Sequence, residues 1–265
     1  MSTVDERRER LTEVFRRARV CERCPELVAT RTQVVFGAGN ADADLMFVGE
    51  APGRDEDVNG IPFVGRSGQL LTQLLEEVGL HRDDVFIANV LKCRPPDNRN
   101  PAPREIANCR EYLEEQLALI QPKVVCTLGN FSTKLIRDKA DGITKVRGTP
   151  EVVTIGRRAV RLLPLLHPAA ALYTRSNIEL LRADIGLIPG LLALEEPPQP
   201  VPPEGRPAAP EDPEPAPEAA PAAEAAAPPQ EQGQEPAAPE PAVPEPAAPG
   251  LMPEAPPPKD QLGLF

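Results

Sequence analysis

The sequence predicts a three-layer α/β/α sandwich around a mainly parallel sheet, followed by a disordered Pro/Ala/Glu-rich tail. Three observations lead there. Short apolar runs bounded by turn residues alternate with amphipathic stretches over the first 194 residues, the pattern of strands covered by helices on both faces. The runs end in polar loops rich in Gly and Pro, at the carboxyl strand ends where ligands of such sheets sit. The composition then breaks near residue 195: of 35 prolines, 23 fall between Pro197 and Pro258.

Taken in order, residues 4–19 form a helix, with Val4, Leu11, Val14, Phe15 and Ala18 on one face. Cys21-Glu-Arg-Cys24-Pro25 ends it, because the proline restricts Cys24. Leu45 to Val48 is a buried strand entering the tight loop Gly49-Glu50-Ala51-Pro52-Gly53. Gly65 to Val78 is helical, with Leu70, Leu71, Leu74, Leu75 and Val78 on one side and Gly79 as its stop. Val85 to Val90 is a second strand, and a polar loop runs from Lys92 to Pro103. A helix over 104–119, a strand from Val124 to Leu128 and a short helix over 130–138 follow. Glu151–Thr154 and Ala159–Leu163 form a hairpin around Gly156, and 174–187 a last helix. Three loops at strand ends carry chemically capable residues: 49–63, 89–103 and 167–175.

The chain carries a net charge of −11, but residues 195–265 alone carry 14 acidic and two basic side chains. The first 194 residues are therefore near +1, and the acidic total does not exclude a nucleic-acid partner. Residues 195–258 lack the apolar side chains to offset their ordering entropy. No apolar run approaches the ~18 residues of a membrane span, and the charged N-terminus lacks a secretory core. A cytoplasmic protein is expected, where cysteines serve as ligands, catalysts or core thiols rather than disulfides.

Of five cysteines, Cys126 lies inside a core strand, while Cys21, Cys24, Cys93 and Cys109 lie at element ends. Structural zinc favours short paired spacings on both sides. The wide Cys24–Cys93 gap and the 15 residues between Cys93 and Cys109 lean toward a [4Fe–4S] cluster, whose body reaches thiolates from distant loops. Spacing alone leaves zinc and unrelated free thiols open.

Gly49-Glu50-Ala51-Pro52-Gly53-Arg54-Asp55-Glu56-Asp57 with Pro62-Phe63-Val64-Gly65-Arg66-Ser67-Gly68 resembles the first motif of the family 4 uracil-DNA glycosylases. Asn89-Val90-Leu91-Lys92-Cys93-Arg94-Pro95-Pro96-Asp97-Asn98-Arg99 is similar to their second motif, and Leu166-His167-Pro168-Ala169-Ala170 to their third. The four cysteines match the family's iron–sulfur ligand pattern. Over residues 10–188 the resemblance implies excision of uracil from DNA, a [4Fe–4S] cluster and an α/β/α sandwich.

In this light Phe63 is the expected stacking platform, Asn89 the reader of the uracil edge, and His167 the donor to O2 of the leaving base. The other histidine, His81, reads as a surface residue. Ala51 stands where family 1 enzymes carry a water-positioning aspartate. Backbone groups of Glu50 and Ala51 are then candidates for orienting water, with Glu50 and Glu56 as acidic neighbours. Glu56 could instead brace Asn98, and Gly49 belongs to the binding loop. Arg66 and Ser67, at a helix start, suit phosphate binding, and Lys92, Arg94 and Arg99 add charge to the second loop. In the third loop Leu172 is the expected wedge into DNA and Arg175 a phosphate contact. A uracil-trapping relative, with glutamine at position 51 and a histidine-bearing basic loop, and a non-catalytic iron–sulfur or zinc DNA-binding module are the competing readings.

The chain closes on Lys259-Asp260-Gln261-Leu262-Gly263-Leu264-Phe265, similar to the peptides with which bacterial repair proteins dock on the β sliding clamp. Leu262, Leu264 and Phe265 would fill an apolar pocket and Gln261 set the register. The Pro-rich segment, at about 3 Å per residue, would tether a monomeric body. Three parts result: 1–194, the glycosylase domain; 195–258, the linker; 259–265, the clamp peptide.

Overall fold

The computed structural model describes residues 3–200; the clamp peptide and nearly all of the linker lie outside them. Helix α1 (Val4–Arg19) starts at a reciprocal cap, with Glu6 N–H donating to Thr3 Oγ1 and Thr3 N–H to the Glu6 carboxylate. After α2 (Pro25–Thr30) come β1 (Ala38–Gly39), β2 (Leu45–Gly49), α3 (Arg54–Asn59), α4 (Arg66–Glu77) and β3 (Phe86–Asn89). Then follow α5 (Pro103–Ile120), β4 (Val124–Leu128), α6 (Asn130–Arg137), α7 (Ile143–Val146), β5 (Glu151–Ile155) and β6 (Arg158–Leu165). Helices α8 (Pro168–Tyr173), α9 (Arg175–Ile185) and α10 (Ile188–Leu192) complete the described fold.

The six strands are ordered β1-β3-β2-β4-β6-β5. The central four run parallel and the two edges antiparallel. Strand alternation sorts the core into two layers. Met46 and Val48 face Leu11, Phe15, Tyr112 and Leu117 of α1 and α5, whereas Leu45 and Phe47 face Leu71, Leu75, Leu181 and Ile185 of α4 and α9. Each such fully buried side chain stabilises the fold by about 1.5–3 kcal/mol relative to exposure. The expected three-layer sandwich is therefore present.

Three departures matter for the site. Residues 54–59 of the stretch expected as a loop over 49–63 form helix α3, with Glu56 closing its first turn onto Gly53 N–H. The stretch expected as a loop over 167–175 is mostly helix α8: Pro168 occupies its first turn, where a missing N–H costs nothing, and Ala169–Leu172 are good helix formers. Helix α9 ends at Ile185, short of the expected 187, and α10 restarts beyond it with Pro189 in its first turn. Beyond residue 194 the chain still touches the sheet: Ala159 N–H donates to Gln199 Oε1 at 3.1 Å, and Gln199 Nε2 donates to Ala159 O at 3.0 Å.

Candidate active site

The parallel strands β2 and β3 end side by side, Gly49 opposite Asn89. The ladder continues beyond them, with Val90 N–H donating to Gly49 O and Leu91 N–H to Glu50 O, each at 3.0 Å. A cavity of about 460 Å³ opens there, lined by Glu50, Ala51, Glu56, Phe63, Ser67, Asn89, Asn98 and His167 among others. Residues from all three expected loops thus meet in one place. A larger cleft of about 960 Å³ adjoins it and shares Glu50, Asn100 and His167, but neither Asn89 nor Phe63 lines it. The smaller cavity is the candidate site, because of the two it is the one lined by Phe63 and Asn89.

Asn89 is 1% exposed, and its Oδ1 has no hydrogen-bond partner among the described residues. A buried amide oxygen left open is costly unless a ligand completes it. Gly49 makes room for it: a Cβ there would sit 2.3 Å from Asn89 Oδ1 and 2.8 Å from two Phe63 ring carbons. Phe63 has φ of 53°, a left-handed conformation rare for a bulky residue and typical of strained functional loops. Its ring lies 5.7 Å from that of His167, inclined by 28°.

Glu56 holds this loop in shape. One carboxylate oxygen accepts from Val64 N–H at 3.1 Å and Gly65 N–H at 3.2 Å, and the other from Gly53 N–H at 3.1 Å. It does not brace Asn98, whose Oδ1 accepts from Arg94 Nε at 2.9 Å. Buried Asp57 ties the next turn of α3 to Thr32 N–H through both oxygens.

His167 caps α8. Its Nδ1 accepts from Ala169 N–H at 3.1 Å, so the neutral ring carries its proton on Nε2. Burial pushes its pKa below the ordinary value of 6.5, with Glu56 opposing. The Glu50 carboxyl is half-buried and raised by desolvation. Its backbone carbonyl is already bonded to Leu91 N–H, so the side chain is its more available group at the pocket.

The second loop does not present the cluster of surface charge expected of it. Lys92 is 2% exposed; its Nζ donates to Asn89 O at 2.8 Å and Gln116 Oε1 at 2.6 Å. Burial pushes its pKa down to about 8. Arg99 forks onto Glu105 at 2.6 and 2.9 Å and reaches Glu26, pinning the loop to α5 and α2. Arg66 is exposed at the start of α4 and Arg175 at the start of α9. Leu172 is half-buried, whereas Tyr173 beside it is 89% exposed. His81 is exposed, as expected.

The four cysteines gather on the α1/α5 side of the fold. Cys93 feels the charges of Cys21 and Cys24, and Cys109 those of Cys93 and Cys21. Three sulfurs accept N–H groups: Cys93 from Arg31 at 3.1 Å, Cys109 from Lys92 N–H at 3.3 Å, and Cys24 from Asn108 at 3.4 Å. Burial pushes the Cys93 and Cys109 thiols up, to about 12 for Cys109, with Arg31 opposing at Cys93 and Lys92 at Cys109. Among the described residues no group of three or more His, Cys, Asp or Glu forms a site for a metal ion. Cys126 is buried in β4.

The uracil DNA glycosylase superfamily profile matches residues 36–184, which span all three loops. The chain is 42% identical over 193 residues to the type-4 uracil-DNA glycosylase of Archaeoglobus fulgidus, covering 71% of this chain and 96% of that one. The chain belongs to the type-4 uracil-DNA glycosylases. Type-4 enzymes of Sulfurisphaera tokodaii and Thermotoga maritima are each 48% identical, over 62% and 64% of this chain and 76% and 88% of theirs. As a type-4 uracil-DNA glycosylase the protein is a DNA repair hydrolase of N-glycosyl bonds that acts on uracil. Among its described residues no helix is long and apolar enough to cross a membrane. Sequence reasoning missed the bracing roles of Glu56, Arg99 and Lys92 and the exposure of Tyr173. Only α8 left a signal, the helix-starting Pro168 after a polar residue.

Proposed function

We propose that the cavity receives an everted uridine from DNA, reads it with Asn89, and releases uracil with help from a neutral His167. Turning the nucleotide out of the duplex costs roughly a few kcal/mol, which contacts in the pocket must offset. The observation that carries this reading is the unpartnered, buried Asn89 Oδ1 in one cavity with Phe63 and His167. Uracil supplies an N3–H for that oxygen and an O4 acceptor for Nδ2. Cytosine reverses both groups, and a site built on hydrogen bonds rejects such an analogue strongly. Phe63 gives the base an apolar wall.

As the glycosidic bond lengthens, electrons collect on uracil O2. A proton on Nε2, aimed there, stabilises the transition state more than the bound substrate. Because the sugar carries oxocarbenium character, as in other glycoside hydrolyses, the attacking water needs orientation more than a strong base. Glu50 and the Ala51 backbone are the groups for that task, with Glu56 acting through the loop it holds. Arg66, Ser67 and Arg175 serve the phosphates. Leu172 was the expected wedge; the exposure of Tyr173 favours the adjacent ring for filling the gap in the base stack.

Cys21, Cys24, Cys93 and Cys109 would hold a [4Fe–4S] cluster. The N–H donors at three sulfurs suit anionic ligands. Cys21 and Cys24 follow α1, Cys93 lies in the second loop and Cys109 on α5, so a bound cluster would cross-link these three segments, and hydrolysis of the N-glycosyl bond transfers no electrons. Beyond the fold, a monomeric, cytoplasmic enzyme docks on a bacterial β sliding clamp through Gln261, Leu262, Leu264 and Phe265, its acidic spacer raising the local concentration on DNA.

Competition by free bases tests the pocket. Free uracil inhibits and cytosine does not, and Asn89→Ala abolishes the difference; equal inhibition by both bases in the parent enzyme would overturn the role of Asn89. Deleting residues 261–265 removes clamp binding and spares excision on short oligonucleotides; retained clamp binding would refute the tether.

A further inference from the structure

Lys92 is the least expected side chain near the pocket. It is an ammonium with 2% exposure; its two hydrogen-bond acceptors, Asn89 O and Gln116 Oε1, are neutral, and the nearby sulfurs of Cys109 and Cys93 favour its charge. Burying such a group is unfavourable by several kcal/mol unless its hydrogen bonds are well satisfied, and an apolar chain would fill the same space at less cost. The anchoring is continuous. Gln116 is 0% exposed and passes its own Nε2 hydrogen to Phe36 O at 2.9 Å, and Lys92 Nζ lies 5.8 Å from the Phe36 ring centre. The Lys92 backbone is fixed as well: its carbonyl accepts from Val35 N–H at 2.7 Å and its N–H donates to Cys109 Sγ.

Asn89 is the last residue of β3; the N–H side of its peptide with Val90 is held by Gly49 O at 3.0 Å, and its carbonyl accepts from Lys92 Nζ at 2.8 Å. Its side chain makes no bond through Oδ1. The ammonium is thus a second anchor for that peptide, from a side chain that does not line the cavity.

We propose that Lys92 is a positioning residue for base recognition: its ammonium, locked by Gln116, holds the Asn89 carbonyl and thereby aims the Asn89 amide at the pyrimidine. This rests on the proposed reading of Asn89 and adds to it the residue that makes the reading accurate. Lys92 touches no substrate.

The test is a double-mutant cycle read by calorimetric titration of free uracil, alongside kcat and KM on a uracil oligonucleotide. Lys92→Met should weaken uracil binding about tenfold, the scale of one charge-assisted hydrogen bond, and raise KM more than it lowers kcat. In an Asn89→Ala background the same change should alter uracil affinity less than twofold, because the residue it positions is gone. Iron content per chain should match the parent. Additive losses, unchanged uracil affinity in Lys92→Met, or loss of iron in step with affinity would each overturn the proposal. Should Lys92→Met not fold, Gln116→Leu, which frees one end of the ammonium, should give a smaller loss that again vanishes with Asn89→Ala. If Asn89→Ala by itself leaves uracil binding intact, the reading of Asn89 fails and this proposal with it. If only Asn89→Ala weakens binding, the role of Lys92 alone fails.

Discussion

Replacing Gly49 by alanine adds one methyl group where the pocket wall has no space. That carbon would lie 2.3 Å from Asn89 Oδ1 and 2.8 Å from two Phe63 ring carbons, against about 3.5–4.0 Å for an unstrained carbon contact. Relief requires shifts of roughly 1 Å, and neither neighbour has free space to move into: Asn89 is buried with its backbone carbonyl tied to Lys92, and Phe63 is buried on a loop clamped by Glu56. Overpacking of this size costs about 1–3 kcal/mol of stability. A displacement of about 1 Å in the groups that hold the base lowers the rate roughly 10²-fold. The assay is single-turnover excision from a uracil oligonucleotide, paired with thermal unfolding. Gly190→Ala is the control, since a Cβ there meets nothing within 4 Å. Excision by Gly49→Ala within twofold of the Gly190→Ala control would refute the reasoning.

His167→Ala should slow excision by about 10²–10³-fold, the loss expected for one donor to a developing oxyanion, with free-uracil affinity falling much less. Because burial holds His167 below 6.5, activity should persist under mildly acidic conditions and fail only as the ring takes a second proton. The unfolded chain binds that proton first, so melting experiments should show stability declining as pH drops from 6.5 toward the lower folded value. Glu56→Gln keeps one acceptor oxygen for three backbone N–H groups and should cost about 1–3 kcal/mol, seen as a lower Tm with activity falling in step. Tyr173→Ala should reduce excision from duplex DNA more than from single strands, while Leu172→Ala should act chiefly on stability; equal effects on both substrates would remove Tyr173 from the flipping step.

Where local pattern and global fold agree, the sequence was readable. Val124–Leu128 is an apolar run interrupted only by Thr127, preceded by Pro122-Lys123 and followed by Gly129, and it forms β4 without shift. Gly79 stops α4 in the left-handed conformation that few other residues adopt cheaply. Asn89 and His167 sit at the ends of apolar runs, where a parallel sheet gathers its ligand-binding groups; Phe63 lies in the Gly- and Pro-containing loop between α3 and α4, and the three share one cavity. Bracing was not readable. Glu56 meets Val64 and Gly65 only after the loop closes over eight or nine residues. Lys92 looks like loop charge until Gln116, 24 residues away, arrives as its acceptor. Helix α8 is hidden in the sequence because its six residues are too few to show periodicity, which leaves Pro168 as its one local mark.

The most direct measurement is single-turnover release of uracil from a DNA strand carrying one uracil, followed as alkali-labile breakage and run for the parent, Asn89→Ala and His167→Ala. The account predicts rapid breakage at that position alone in the parent and losses of about a hundredfold or more in each variant. A parent that leaves the strand intact, or variants that cut as fast as the parent while equally folded, would contradict it.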